Sequence, residues 1–274
     1  MKKKSSLNKF ITILENDLCR NLKYVISLMA IFWIAHLIFA FKSISSLNRV
    51  VDVCLNNTTM EELVKSGEIF SFYDILEDGT ILGVMAFSII GLALYTIVLW
   101  EREWFGSTKS IYTLLSLPIK KGHIIISKLL IMLIFIGVNV VVQILTLFID
   151  NFMMKFRIDE RLIANKNIFV VFSTTHRNNI INFLCKNTWE SMITLIAALI
   201  LLSLVVLLFR SFKIKGLIWG EVSIILFFFI YSFTGTYLNL YLDENIIFRI
   251  ILSIVTSILA FNYCKYLLNN KVSV

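Results

Sequence analysis

The chain has 274 residues, 58% of them hydrophobic and 16% charged, with a mean hydropathy of +0.83 and a formal charge of +8. That balance excludes an ordinary soluble domain, in which roughly a quarter of the residues carry charge. It places the protein in a membrane, where the positive charge belongs to topology and anionic-lipid contact and not to nucleic acid.

A membrane-spanning helix needs about 20 mostly apolar residues. Ahead of the first such run, Leu7, Phe10, Ile11, Leu14, Leu18 and Leu22 recur at spacings of three and four, with Lys9, Glu15, Asp17 and Arg20 on other faces. This periodicity predicts an amphipathic helix within a cytoplasmic segment, residues 1–23. Such a helix lies in the headgroup plane or extends the first span; both placements stay open. The first span is predicted over Tyr24–Phe41. It reads as a retained helix, because no small-residue cleavage site closes its apolar core. An outer connection, 42–79, follows with most of its acid at Asp52, Glu61, Glu62, Glu68, Asp74, Glu77 and Asp78, and with a short helix expected near Met60–Lys65.

The second span is expected over Thr80–Trp100 and the third over Leu129–Phe148, joined by a polar, basic connection, 101–128, that holds the only proline of the chain. Within it Ile111, Leu114 and Leu115 fall at i, i+3 and i+4, Ser107 or Thr108 can cap the start, and Pro118 ends the turn. A short amphipathic helix is predicted, whose apolar stripe is too small for a core and must meet lipid or another protein. A second outer connection, 150–190, mixes Lys155, Arg157, Arg161 and Arg177 with an apolar stretch, Phe169–Phe172. The two outer connections either pack together as a cap or stay separately solvated. The remaining spans are Ser191–Phe209, Leu217–Leu240 and Ile246–Leu268. Strands that build membrane barrels alternate over about ten residues, whereas these runs are long and continuous. The fold class is therefore all-α: one transmembrane domain of six helices, 1–274, without tandem repeats or a linker to a second domain.

Lysine and arginine beside the spans set the orientation. Lys2, Lys3, Lys4, Lys9, Arg20 and Lys23 precede the first span, and Arg102, Lys109, Lys120, Lys121 and Lys128 follow the second. Arg210, Lys213 and Lys215 occupy the tight fourth-to-fifth connection, and Lys265 and Lys271 the tail. These are the majority of the 26 basic residues, so both termini are expected in the cytoplasm of a multi-pass plasma-membrane protein.

No phosphate-binding loop, H-E-x-x-H or G-x-S-x-G occurs, so no catalytic, cofactor or metal site is expected in this chain. His36, His123 and His176 lie in different segments and read as packed or interfacial side chains. The cysteines, Cys19, Cys54, Cys185 and Cys264, follow no metal or redox spacing; a disulfide between Cys54 and Cys185 is one arrangement that the topology allows, isolated thiols the other. Glu221 is the one acid well inside an apolar run. Burial there costs about 2.5–3.5 kcal/mol, so it faces protein, water or a cation, or pairs with Lys213 or Lys215. Gly216 and Gly220 before it form G-x-x-x-G, which permits close helix approach.

The connection 101–128 resembles that of one family, the permease subunits of type-2 ATP-binding-cassette (ABC) exporters. Glu101, Arg102 and Glu103 form an acidic and basic group, Gly106 and Thr108 follow, then L-L-S-L-P from Leu114 to Pro118, and Lys120, Lys121 and Lys128 lead into the third span. The six-span layout and the amphipathic amino-terminal helix are similar to the family too. This chain departs from it in a long third-to-fourth connection and in a lysine after the proline where arginine is commoner. The resemblance implies a cytoplasmic coupling helix that docks in a separate ABC ATPase subunit. Glu101, Arg102, Glu103, Thr108 and Ile111 would form one part of that contact, and Leu114, Leu115, Pro118, Lys120 and Lys121 the other. It implies ATP and Mg on the partner alone, no enzyme activity in this chain, a homodimer or a pair with a related permease, and outward movement of an amphipathic peptide, antibiotic or lipid. Two alternatives stay open from the residues themselves: an ion-coupled transporter using Glu221, and a membrane sensor or scaffold that does not transport.

Overall fold

The structure, a computed structural model, describes residues 6–57, 79–105, 121–159, 162–163, 188–237 and 242–270. Nearly all of these are helical, in six helices: α1 (Ser6–Asn57), α2 (Gly79–Phe105), α3 (Lys121–Arg157), α4 (Thr188–Phe212), α5 (Ile214–Tyr237) and α6 (Leu242–Asn270). All six are long and apolar enough to cross a membrane. The protein is an all-α, multi-pass membrane protein. The expected helices near Met60–Lys65 and around Ile111–Leu115, and the residues Thr108, Pro118, Lys120 and Cys185, lie outside the described residues.

Helix type and number follow the apolar runs, but the helices outlast them. α1 has 52 residues, roughly 78 Å at 1.5 Å per residue, against a hydrocarbon core of about 30 Å. It absorbs the predicted amphipathic segment into the first span and continues through 42–57, which the sequence reading assigned to an outer connection. α3 likewise runs on to Arg157. Charges near the ends complement the helix dipoles: Glu190 stands in the first turn of α4, and Arg102, Lys155 with Arg157, and Arg210 stand in the last turns of α2, α3 and α4.

Two compact units divide the chain, and α1, α2 and α3 contribute to both. One comprises 1–25, 91–136 and 187–274. Its centre is α4, the most buried of the six helices, which packs against both α5 and α6. Leu201, Leu204 and Leu207 of α4 meet Trp100 of α2, Ile125 of α3 and Leu267 of α6 there. α5 and α6 turn most of their remaining apolar surface outward, among it Trp219, Ile225, Phe229, Ile258 and Leu259. In lipid such exposure has no solvation cost, and close packing holds the helices together.

The second unit comprises 26–90 and 137–186. Ala40, Ile44 and Val51 of α1 form a stripe at i, i+4 and i+11 that packs with Ile81 and Met85 of α2 and Leu147 and Met154 of α3. This cluster reaches beyond the predicted apolar runs on α1 and α3. Where a helix outruns the hydrocarbon, burying such side chains stabilises by about 1.5–3 kcal/mol each.

Candidate functional site

In the first unit, the two helices joined by the connection 106–120 meet in a buried charge cluster. On α1 the buried stripe is Ile13, Asp17, Asn21 and Val25, whereas Ile11 and Leu22 are exposed. The predicted apolar positions are split, with Phe10, Leu14 and Leu18 half-buried beside them, and an acid and an amide face inward. The polar groups they meet account for this.

Asp17 accepts a hydrogen bond from Arg20 Nη2 at 3.1 Å and lies 3.9 Å from Lys128 Nζ. Lys128, 1% exposed near the start of α3, donates to Glu103 Oε1 at 3.2 Å, and its ammonium stands 5.0 Å from the centroid of the Trp100 ring. Arg20 donates to the same Glu103 oxygen. Two acids and two bases therefore cancel, which is the condition under which buried charge is tolerated in a low dielectric. Asn21 extends the cluster. Its amide donates to the Asp17 carbonyl at 2.7 Å, and its Oδ1 accepts from Tyr95 at 3.1 Å and from Arg102 at 3.2 Å. Arg102 also donates to the Arg20 carbonyl and covers the Tyr24 ring.

Further contacts fix the same ends of α2 and α3 to other helices of the unit. Glu101 pairs with Arg210 of α4, whose guanidinium lies 5.6 Å from the Trp104 ring centroid. Trp100 donates to Ser203 at 3.0 Å. Lys121 Nζ caps the end of α6 by donating to the Leu268 carbonyl at 2.7 Å.

Glu101, Arg102, Glu103 and Lys121, expected from the sequence as partner contacts, all hold the ends of the connection to the rest of the unit. Glu103 is fully buried, so its carboxylate presents no surface. Glu221 is exposed and has no ion pair among the described residues. Gly216 and Gly220 sit where α5 crosses α4. A Cβ at Gly216 would stand 2.0 Å from the Leu208 carbonyl oxygen, and one at Gly220 3.0 Å from Val205 Cα.

The buried acids that the sequence reading did not single out are Asp17, Asp150 and Glu190. Glu190 accepts from Tyr231 at 2.6 Å and pairs with Arg249 at 3.3 Å, tying α4 to α5 and α6. Asp150 belongs to a polar seam in the second unit. Asn139, Gln143, Thr146 and Asp150 follow at i, i+4, i+7 and i+11 on α3, all buried. Asn139 donates to Ser88 of α2 at 3.0 Å, Gln143 donates to Ser88 and to the Met85 carbonyl, and Asp150 meets His36 Nε2 of α1 at 2.7 Å. His36 is packed, as expected, but packed against an acid. A signal for the seam exists in the sequence, since four polar residues at helical spacing interrupt an otherwise apolar run.

Among the described residues no group of histidine, cysteine and acid side chains could hold a metal ion. Compared with protein-family models, curated proteins and solved structures, the chain matches none.

Proposed function

We propose that the chain is the permease subunit of a type-2 ABC exporter, one half of a pathway completed by a second, identical or related permease and driven by separate ATPase subunits. The observation that carries the reading is the anchoring of the α2–α3 connection. Its sequence, L-L-S-L-P flanked by basic residues, resembles a coupling helix, and its ends are clamped by Glu103–Lys128, Arg20–Glu103 and Arg210–Glu101. A connection whose ends are held by ion pairs to neighbouring helices suits the transmission of force. A push on Leu114, Leu115 and Pro118 reaches α1 through Arg20 and α4 through Arg210, without deforming a flexible hinge. The cargo is an amphipathic peptide, antibiotic or lipid, the membrane is the plasma membrane, and both termini are cytoplasmic. ATP and Mg act on the partner.

Leu115→Asp tests the docking. The substitution places a charge in the apolar stripe that meets the ATPase, so an ATPase encoded beside this chain should no longer co-purify with it. Helical content and thermal unfolding of the permease should stay unchanged. Full recovery of the ATPase together with intact export would contradict the proposal.

A further inference from the structure

The polar seam of the second unit ends in a cleft whose chemistry selects one kind of group. The floor consists of His36, Ser88, Asn139, Gln143 and Thr146, all buried. Its rim is apolar: Met29, Phe32, Val84 and Val142 are half-buried, and Trp33 is 41% exposed. The open volume is about 20 Å³, room for one group the size of a water molecule. A larger molecule can therefore place only its terminal group on the floor, with the rest on the rim.

The floor asks for hydrogen-bond donors. Asn139 and Gln143 use their amide nitrogens on Ser88 and the Met85 carbonyl, and Ser88 in turn donates to that carbonyl at 2.8 Å. Among the described residues no donor reaches the side-chain oxygens of Asn139 or Gln143, nor Asp150 Oδ1. Two acceptors that line the cleft, on Asn139 and Gln143, thus stand without donors, and Asp150 Oδ1 is a third in the same seam outside the cleft. Asp150 does not line the cleft; it stands behind the floor, against His36, and sets negative charge there. Asp150 has no lysine or arginine paired with it among the described residues; its only basic neighbour in contact is His36. In a low-dielectric setting a carboxylate so placed draws a cation far more strongly than it would in water.

We propose that this cleft binds the primary ammonium group of an alkyl amphiphile, with three N–H donors on the polar floor and the chain along the apolar rim. A lipid headgroup and a free cationic amphiphile share that chemistry. The site goes beyond the exporter reading and stands without it, because binding here needs neither ATP nor a partner subunit.

The test uses the full chain in phosphatidylcholine nanodiscs and a long-chain primary amine bearing a diazirine next to the nitrogen. Photolabelling is expected on α1 around residues 29–36 and on α3 around 139–146. Asn139→Leu with Gln143→Leu removes two acceptors and should lower it about tenfold, the loss of roughly 1.4 kcal/mol of binding. Trp33→Leu, on the exposed rim and outside the hydrogen-bonded network, should lower it too while leaving the fold intact. The N-trimethyl analogue, which has no N–H, should label weakly. Competition by phosphatidylethanolamine would identify the lipid as the source, and its absence a free amphiphile; either result supports the site. Equal labelling by amine and trimethyl probes, or labelling that Trp33→Leu and the double variant both leave unchanged, would overturn it.

Discussion

The Glu103 carboxylate is fully buried and accepts from both Arg20 and Lys128, so removing its charge leaves the Lys128 ammonium with Asp17 alone, 3.9 Å away. Arg20 is partly exposed and can turn to water; Lys128 cannot. Glu103→Gln should therefore lower the free energy of unfolding in mixed micelles by about 3 kcal/mol, as for a buried pair that loses one partner. Lys128→Met in the same chain should restore more than half of that loss, because no ammonium is then left unpaired. Additive losses in the double variant would show that the pair is not coupled. The sequence marks these residues only in part. Glu221 draws attention because it lies deep in an apolar run, yet depth in a run is not burial, and its helix face is exposed. Asp17, Glu103, Asp150 and Glu190 stand near the ends of runs, where a reader of sequence expects water. Their burial depends on which helices stand opposite, and that is a property of packing across the chain. The amides at Asn139 and Gln143 are legible at spacing i, i+4, but a search for charge passes over them.

Between helices the most demanding contact is the turn from α4 to α5. Lys213 is the only residue between them and has φ of 56°, a left-handed conformation that costs a side chain about 1 kcal/mol or more. That turn sends α5 back along α4, and Gly216 meets the Leu208 backbone within a distance that admits no Cβ. Gly216→Ala should destabilise the protein by about 1–3 kcal/mol, since backbone cannot yield as a flexible side chain does. The measurement is thermal unfolding in detergent; an unchanged midpoint would mean that α5 does not cross α4 as described. At this scale the sequence is informative about existence and weak about extent. Over the described residues all six runs are helical, and the G-x-x-x-G spacing marks a real close approach. The lengths of α1 and α3 were not legible, because 42–57 and 149–157 are polar enough to read as connection. They are helical because Ile44 and Val51 pack against Leu147 and Met154, contacts distant in sequence.

For the whole molecule, six helices long and apolar enough to cross a membrane and the ion pairs at the ends of the α2–α3 connection support the exporter proposal. The competing reading, a carrier driven by an ion gradient through Glu221, needs that carboxylate to line a path; in the described chain it is exposed on α5. The two readings differ in what supplies the energy. The most direct measurement is cargo movement in proteoliposomes that hold this chain with its ATPase partner, compared with ATP, with a proton or sodium gradient alone, and with Glu221→Gln. The account predicts movement that requires ATP and the partner, is absent under either gradient without nucleotide, and persists in Glu221→Gln. Movement driven by a gradient without ATP, and lost in Glu221→Gln, would contradict it.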